Sequence, residues 1–226
     1  NIGYVVSDYY ANGSFWCSYP NKSFKQRPGR AVKAENGKIY VSVVFSDGDN
    51  VQFDQNALYA IWTEDTDRGA FPVGTTLCAG MQELNPFLLE WYYNHMSPND
   101  ELMAGPSGYQ FIYGRDYSEE GYEKWLGLNR RWLASAGFKT ACFWHTSYGT
   151  DRFYRYVETA GLEGVFNGDD DVILDYHNGV IIMNQGDHLV AEGDLYNNLA
   201  HRQGQLDPSR PHFLNVYPTA ATYGYH

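Results

Sequence analysis

The sequence has few cysteines, few basic residues and no long apolar segment. Its three cysteines, Cys17, Cys78 and Cys142, match no zinc-site spacing and cannot build a disulfide framework, although one disulfide could form. Because no run of 18 apolar residues occurs, no membrane span is expected. The 16 Lys and Arg stand against 27 Asp and Glu with no basic patch, which excludes nucleic acid as an expected partner.

The sequence also lacks the common motifs of nucleotide-binding and hydrolytic sites. It contains no Gly-x-Gly-x-x-Gly after a predicted strand, no Walker loop and no His-Glu-x-x-His. Gly-x-Ser-x-Gly is absent too, and Pro106-Ser107-Gly108 has the wrong flanking residues for a nucleophile elbow. Ser107 is therefore not expected to act as a nucleophile.

What the sequence does contain is many aromatic residues and an alternation of apolar patterns. Its 20 Tyr, 12 Phe and 6 Trp exclude a disordered chain, which would lack the apolar surface to offset its ordering entropy. β-branched apolar runs predict strands, and apolar residues at helical spacing predict helices. The predicted strands are 38–46, 75–79, 101–104, 138–144, 164–167, 172–176, 180–184 and 212–216; the predicted helices are 51–62, 83–96, 118–136, 151–160 and 191–202.

This alternation of strands and helices predicts an α/β fold with a parallel sheet. Five to six strand–helix units are fewer than the eight of a complete barrel, so we expect a partial or distorted β/α barrel. Residues 1–37 lack periodicity and carry turn signals, which predicts a mostly irregular N-terminal extension before a barrel-like domain at 38–226. The chain is expected to be processed or to be part of a longer protein.

The first predicted strand ends in the most distinctive polar cluster of the sequence. Asp47 and Asp49 lie on a glycine turn directly after it, and ligands bind at the carboxyl ends of parallel strands. Two adjacent carboxylates could share a proton for acid–base catalysis, or hold a divalent cation such as Ca²⁺ or Zn²⁺. The competing interpretation is an ordinary Asp-Gly turn in which Asn50 caps the following helix.

Polar and aromatic residues follow other predicted strands as well. Asp169 and Asp170 are candidates for a second catalytic carboxyl group, although a solvated acidic loop is the simpler interpretation. The imidazole of His145 could contact a ligand or act as an acid, or could only satisfy local hydrogen bonds. The candidate substrate-binding residues are Asn50, Ser107, Tyr109, Trp144, His145 and Tyr148, of which Trp144 and Tyr148 could stack on a sugar ring.

An ordered series of motifs between 38 and 113 resembles a known family. It comprises the run YVSVVFSDGDNVQ from Tyr40, then DRG from Asp67, PVGTTL from Pro72, PNDE from Pro98 and GPSGY from Gly105. This series resembles the C-terminal domain of the GxGYxYP family of putative glycoside hydrolases. The segment GYQFIYG from Gly108 departs from the family motif, because it is shorter and lacks the final proline.

The resemblance implies a sugar-processing β/α barrel related to glycoside hydrolases and polysaccharide deacetylases. It also implies a secreted, periplasmic or cell-surface protein that acts on a carbohydrate, with another domain N-terminal to this one. Three functions remain open. They are a glycoside hydrolase using strand-end carboxylates, a metal-dependent deacetylase with Asp47 or Asp49 and His145 as ligands, and a non-catalytic carbohydrate-binding or structural protein.

Overall fold

The computed structural model describes residues 10–29, 32–144, 146–168, 174–184, 187–189, 193–204 and 206–218. In these residues nine strands form one sheet in the order β6-β7-β5-β4-β3-β2-β1-β9-β8. All neighbouring strands are parallel except β6, which pairs antiparallel with β7. The strands are β1 Ile39–Phe45, β2 Val73–Leu77, β3 Asp100–Ala104, β4 Thr140–Phe143, β5 Gly164–Asn167, β6 Leu174–His177, β7 Val180–Asn184, β8 Asp187–Leu189 and β9 His212–Pro218.

The eight parallel strands form a nearly closed barrel, which confirms the predicted fold class. The α-helices are α1 Gly13–Trp16, α2 Val51–Gln55, α3 Ala57–Glu64, α4 Met81–Leu84, α5 Pro86–Asn94, α6 Glu119–Ala136, α7 Asp151–Thr159 and α8 Asp194–Gln203. Apart from α1, which precedes β1, the α-helices lie between strands in the sequence, as the alternating pattern predicts. None of the helices within the described residues is both long and apolar enough to cross a membrane.

Two of the predicted helices are divided in the structure. The helix predicted at 51–62 is interrupted at Asn56, which separates α2 from α3. The helix predicted at 83–96 is interrupted at Asn85, where the side chain accepts a hydrogen bond from the backbone amide of Leu88 at 3.1 Å. Pro86 then begins α5, since proline is tolerated at the first helical position. The predicted runs at 172–176 and 180–184 form a hairpin, of which 172 and 173 lie outside the described residues.

The two faces of the barrel wall carry different side chains. Most buried apolar residues lie between the sheet and the helices, in a cluster that includes Leu77, Leu102 and Phe143. A small second cluster is formed by Val44, Met103 and Cys142, with Trp144 and Phe166 packed against it. These residues alternate along the strands with those of the large cluster, so they face the interior of the barrel. We call Val44, Met103 and Cys142 the interior cluster.

Residues 10–29 form only the short helix α1 and contact the barrel through partly buried side chains, of which Gln26 makes the most hydrogen bonds. The side chain of Gln26 accepts a hydrogen bond from the amide of Leu102 at 2.7 Å and donates to its carbonyl at 2.5 Å. It also donates to the carbonyl of Gly137 at 3.0 Å. Strands β3 and β4 share only the pair Ala104 and Ala141. Gln26 thus satisfies backbone groups of β3 that β4 does not reach.

Candidate active site at the carboxyl end of the barrel

The turn after β1 is held by backbone hydrogen bonds and ends as a helix cap. Asp47 has a positive φ of 98°, a conformation that is uncommon for a residue other than glycine. Its carbonyl accepts a hydrogen bond from the amide of Asn50 at 3.0 Å. The Asn50 side chain accepts from the amide of Phe53 at 3.2 Å and so caps α2. Asn50 therefore has the capping role that the sequence left open, and its side chain fixes the direction of the turn.

Glycines bring the ends of β1, β2 and β3 into direct contact. A Cβ on Gly48 would lie 1.9 Å from the carbonyl oxygen of Thr76, which leaves no room for a side chain. A Cβ on Gly105 would lie 2.8 Å from the backbone nitrogen of Asp49. The hydroxyl of Thr76 also accepts a hydrogen bond from the amide of Gly48 at 3.1 Å. This close packing fixes Asp47 and Asp49 at the rim of the barrel.

The protein raises the pKa values of the carboxyl groups at this turn. Asp49 is only 8% exposed, and its pKa is raised to about 7, first by burial and then by the negative charge of Asp47. Asp47 is half-buried, and burial raises its pKa as well. A carboxyl group with a pKa near 7 can hold a proton at neutral pH and release it to a substrate.

A third acidic residue lies behind the turn. Asp54 in α2 is fully buried, and neither carboxyl oxygen has a hydrogen-bond partner of regular geometry. Burial, followed by the charges of Asp49 and Asp47, holds the pKa of Asp54 well above its usual range, and the nearby backbone amide of Cys78 offsets this in part. Burial at this position therefore favours the protonated, uncharged form of Asp54.

An aromatic pair lies on the interior face of the barrel beside the carboxyl cluster, which comprises Asp47, Asp49 and Asp54. Trp144 follows β4 and is half-buried, whereas Tyr217 near the end of β9 is 7% exposed. Their rings meet edge to face, with centroids 5.8 Å apart and planes at 84°. Burial raises the pKa of Tyr217, and the charges of Asp47 and Asp49 contribute to the rise. The pairing of Val43 with Val216 places Tyr217 beside the end of β1, next to the turn.

Ser107 and Tyr109 lie in the loop that follows β3, but their side chains are engaged elsewhere. Ser107 is fully buried, and its hydroxyl donates to the carbonyl of Ile112 at 3.3 Å. The Tyr109 ring stacks on Trp132 of α6, and its hydroxyl donates to Glu83. Both side chains are therefore held by the protein itself, and Tyr109 packs in the cluster between sheet and helices.

The remaining predicted residues fall into two groups. The hydroxyl of Tyr148 donates to Asp175 of β6 at 2.6 Å, and its ring packs against Phe153 of α7. His145, Asp169 and Asp170 lie outside the described residues. Within the described part of the chain, no group of three His, Cys, Asp or Glu could hold a metal ion.

The three cysteines are free thiols in the structure. Cys17 is exposed, whereas Cys78 and Cys142 are buried. Burial raises the pKa of both buried thiols, with a contribution from the charge of Asp49. These two cysteines are neutral core residues beside the carboxyl cluster.

Sequence reasoning missed Asp54 as a member of this site and gave Tyr217 no particular role. Asp54 follows the turn on helix α2, and an acidic residue is not ordinarily expected on the buried face of a helix. The signal that could have found it is its position three residues after the buried Val51, which places both on the same face. Tyr217 directly follows the predicted strand 212–216 and is therefore one of the strand-end candidates, but no sequence signal gives it a specific role, because β9 is distant in sequence from β1. The pairing of β1 with β9, which includes Val43 with Val216, brings the Tyr217 phenol to the turn.

Comparisons with known proteins agree with this architecture. A crystal structure of a protein described as a putative hydrolase from Bacteroides thetaiotaomicron VPI-5482 is similar, with a TM-score of 0.80 and 21% identity. The match covers 94% of this chain and 45% of that chain, so this chain spans less than half of its length. A second similar structure is Puue allantoinase, with a TM-score of 0.52, 15% identity, and coverage of 95% of this chain and 85% of that chain.

No curated protein sequence matches the chain. The family model described as GxGYxYP putative glycoside hydrolase C-terminal domain matches residues 37–222. This match covers most of the sequence and includes the turn with Asp47 and Asp49 as well as Tyr217. The chain therefore belongs to the GxGYxYP putative glycoside hydrolase C-terminal domain family.

Proposed function

We propose that this domain hydrolyses a glycosidic bond of an oligo- or polysaccharide, with Asp49 as the general acid. The observation that carries the proposal is the pKa of about 7 for a carboxyl group at the carboxyl end of a barrel strand. A general acid works best when its pKa lies near the working pH. Membership of a family described as glycoside hydrolases, and similarity to a structure described as a hydrolase, agree with this reaction class.

In the proposed reaction Asp49 donates its proton to the glycosidic oxygen as the bond from that oxygen to the anomeric carbon breaks. A second carboxylate either takes a proton from the attacking water or attacks the anomeric carbon itself. Asp47 is close in sequence to Asp49, and such neighbours rarely flank a sugar from opposite sides. We therefore assign the second carboxylate to Asp169 or Asp170, as the sequence predicts, and assign Asp47 to raising the pKa of Asp49.

The test compares substrates that need an acid with substrates that do not. Dinitrophenyl glycosides have a good leaving group and require little protonation, whereas alkyl glycosides and natural oligosaccharides require a general acid. We expect Asp49→Asn to lose about a hundredfold or more of kcat/KM on oligosaccharides, the usual contribution of general acid catalysis, and much less on dinitrophenyl glycosides. Asp116→Asn, at an exposed acidic residue, is the matched control.

The basic limb of the wild-type pH profile of kcat/KM should fall near pH 7, because Asp49 must be protonated in the free enzyme. Asn variants of Asp169 and Asp170 should identify the second carboxylate by the loss of activity on both substrate types. No hydrolysis across a panel of dinitrophenyl glycosides and oligosaccharides, or equal activity of Asp49→Asn and wild type, would overturn the proposal.

A metal-dependent deacetylase remains the second candidate, because Asp47 and Asp49 stand together at the end of β1. The two carboxylates are oxygen ligands that suit a divalent cation, and a third ligand would have to come from His145, outside the described residues. A bound cation would polarise the acyl carbonyl and activate water. Acetate release from an acetylated oligosaccharide that stops on chelation and returns with Zn²⁺ or Ca²⁺ would favour this candidate over hydrolysis of the glycosidic bond.

A further inference from the structure

We propose that Tyr217 is a positioning residue that joins the turn with Asp47 and Asp49, here called the carboxyl turn, to a sugar-stacking surface on Trp144. The inference rests on the proposed carbohydrate substrate and deepens it. In this inference the face of a pyranose ring stacks on the Trp144 indole. Tyr217 fixes the position of that indole relative to the turn. The two strands concerned, β4 and β9, are far apart in sequence and meet only inside the barrel.

The first support is the place of Tyr217 in the sheet. Strand β9 pairs with β1 up to Val43 and Val216. Tyr217 is the next residue after this pair and lies beside the end of β1. Val216 packs with Leu214 on the outer face of the sheet. Successive residues of a strand face opposite sides, so Tyr217 points into the barrel. At 7% exposure it fills the interior beneath the rim and leaves little of itself to contact a ligand.

The second support is the contact between Tyr217 and Trp144. The edge-to-face geometry, with 5.8 Å between centroids, is a favourable arrangement for two aromatic rings. Trp144 also packs against the interior cluster, so its ring is held on two sides while part of it stays exposed. A rigid aromatic ring that is partly exposed beside a pair of carboxyl groups suits the apolar face of a sugar.

The third support is the surroundings of the Tyr217 hydroxyl. The Ser46 hydroxyl lies near enough to lower the pKa of Tyr217, although its Oγ makes no hydrogen bond of regular geometry. Ser46 directly precedes Asp47, and it is 1% exposed. We therefore expect the Tyr217 and Ser46 hydroxyls to approach each other when substrate binds, which would connect β9 to the carboxyl turn. Hydrogen bonds in ligand-free sites are often long and tighten in the complex.

These contacts predict separate effects for the hydroxyl and the ring. Tyr217→Phe keeps the packing against Trp144 and removes the hydroxyl, so we expect kcat to fall about tenfold with KM changed less than about twofold. Tyr217→Leu also removes the support of the indole, so KM should rise in addition. Trp144→Phe should raise KM about tenfold, and it loses no hydrogen bond of the free protein, because the indole nitrogen is buried without a partner in the described structure.

A double-mutant cycle tests the connection through Ser46. If the Tyr217 hydroxyl acts through Ser46, Ser46→Ala should cause the same loss in kcat as Tyr217→Phe, and the double variant should lose no more than either. Tyr40→Phe is the matched control, since its hydroxyl accepts a hydrogen bond from the amide of Glu35 at the opposite end of β1. We expect this control to leave kcat and KM unchanged.

Binding without turnover separates this inference from the proposed reaction. Titration of Asp49→Asn with an oligosaccharide should change the tryptophan fluorescence, and the change should disappear in Asp49→Asn/Trp144→Phe. Binding of this kind in a protein that hydrolyses nothing would support the aromatic surface and overturn only the proposed hydrolysis. Hydrolysis that is indifferent to Trp144→Phe and Tyr217→Phe, or additive losses for Ser46 and Tyr217, would overturn the inference and leave the hydrolysis standing.

Discussion

Replacing Asp49 with Asn should stabilise the fold at pH 8 and leave its stability at pH 4 nearly unchanged. In the folded protein the pKa of Asp49 is about 7, against an ordinary value of 3.8. The unfolded chain therefore loses this proton at lower pH than the folded protein, so the free energy of unfolding falls as pH rises from about 4 to about 7. The neutral Asn side chain has no proton to lose and removes this part of the pH dependence.

The difference between the two pKa values sets the upper limit of the effect. At 1.36 kcal/mol for each pH unit, it amounts to about 4 kcal/mol of stability lost by the wild type at pH 8. Water that enters beside an ionised Asp49 relieves part of this cost, so we expect a gain of about 2 kcal/mol. For a domain of this length, that gain corresponds to a rise in Tm of about 4–8 °C.

Urea unfolding at pH 4, 6 and 8 measures this effect directly. The wild type, Asp49→Asn and the exposed control Asp116→Asn should agree at pH 4, and only Asp49→Asn should separate from the others as pH rises. A loss of stability in Asp49→Asn of equal size at every pH would show that the carboxyl group stabilises the turn, and would refute the reasoning. A wild-type stability that rises between pH 5 and pH 8 while Asp49→Asn stays constant would refute it as well.

Substitutions at three other positions test the buried acid behind the turn, the contact of the N-terminal segment with β3, and the close approach of β1 and β2. Asp54→Asn should reduce the fall of stability with rising pH, measured in the same titration, because burial raises the pKa of Asp54 in the folded protein and its ionisation therefore opposes folding. Gln26→Ala should cost about 2–4 kcal/mol in urea unfolding, since buried backbone groups of Leu102 lose their partners, and a cost below about 0.5 kcal/mol would contradict that role. Gly48→Ala should abolish soluble expression, or else displace the turn and abolish activity, because its Cβ would lie 1.9 Å from the carbonyl oxygen of Thr76.

Local signals explain why much of the barrel could be predicted from the sequence. Apart from Ser42, the residues of β1 are all β-branched or aromatic, as expected of a strand covered on both faces. Helix α6 begins at Ser118, whose side chain accepts from the amide of Gly121 at 3.2 Å, and ends at Gly137 with a φ of 76°. These signals need no knowledge of the rest of the chain, because each one acts on its immediate neighbours.

The number of parallel strands could not be predicted in the same way. Strand β8 has three residues, Asp187–Leu189, and too short a pattern to stand out from a loop. It belongs to the sheet because β9 offers it a free edge, so that Asp187 pairs with Val216. The contact of residues 10–29 with the barrel is equally non-local, since the hydrogen-bond partners of Gln26 lie 76 and 111 residues away in the sequence.

The site shows the same division between local and distant causes. The turn with Asp47 and Asp49 is visible in the sequence because a strand, a glycine and a helix cap follow one another. The partners that give the turn its chemistry, Tyr217 among them, depend on which strands become neighbours. Tyr109 shows the reverse, because its place after β3 indicates the rim while its ring turns outward to Trp132 of α6.

The buried acids at this rim have no evident structural benefit. Asp49 and Asp54 remove two carboxyl groups from water without a salt bridge among the described residues, and both acquire raised pKa values. Elsewhere in the same chain, the Asp100 side chain is only 3% exposed and is paired with Arg68 at 2.6 Å, as a buried charge requires for stability. A fold that pairs the Asp100 carboxylate and leaves the carboxyl groups of Asp49 and Asp54 without a salt bridge gives up stability at the turn after β1. That place is where a proton donor near neutral pH would act, which is why the chemistry of this domain is to be sought at the turn after β1.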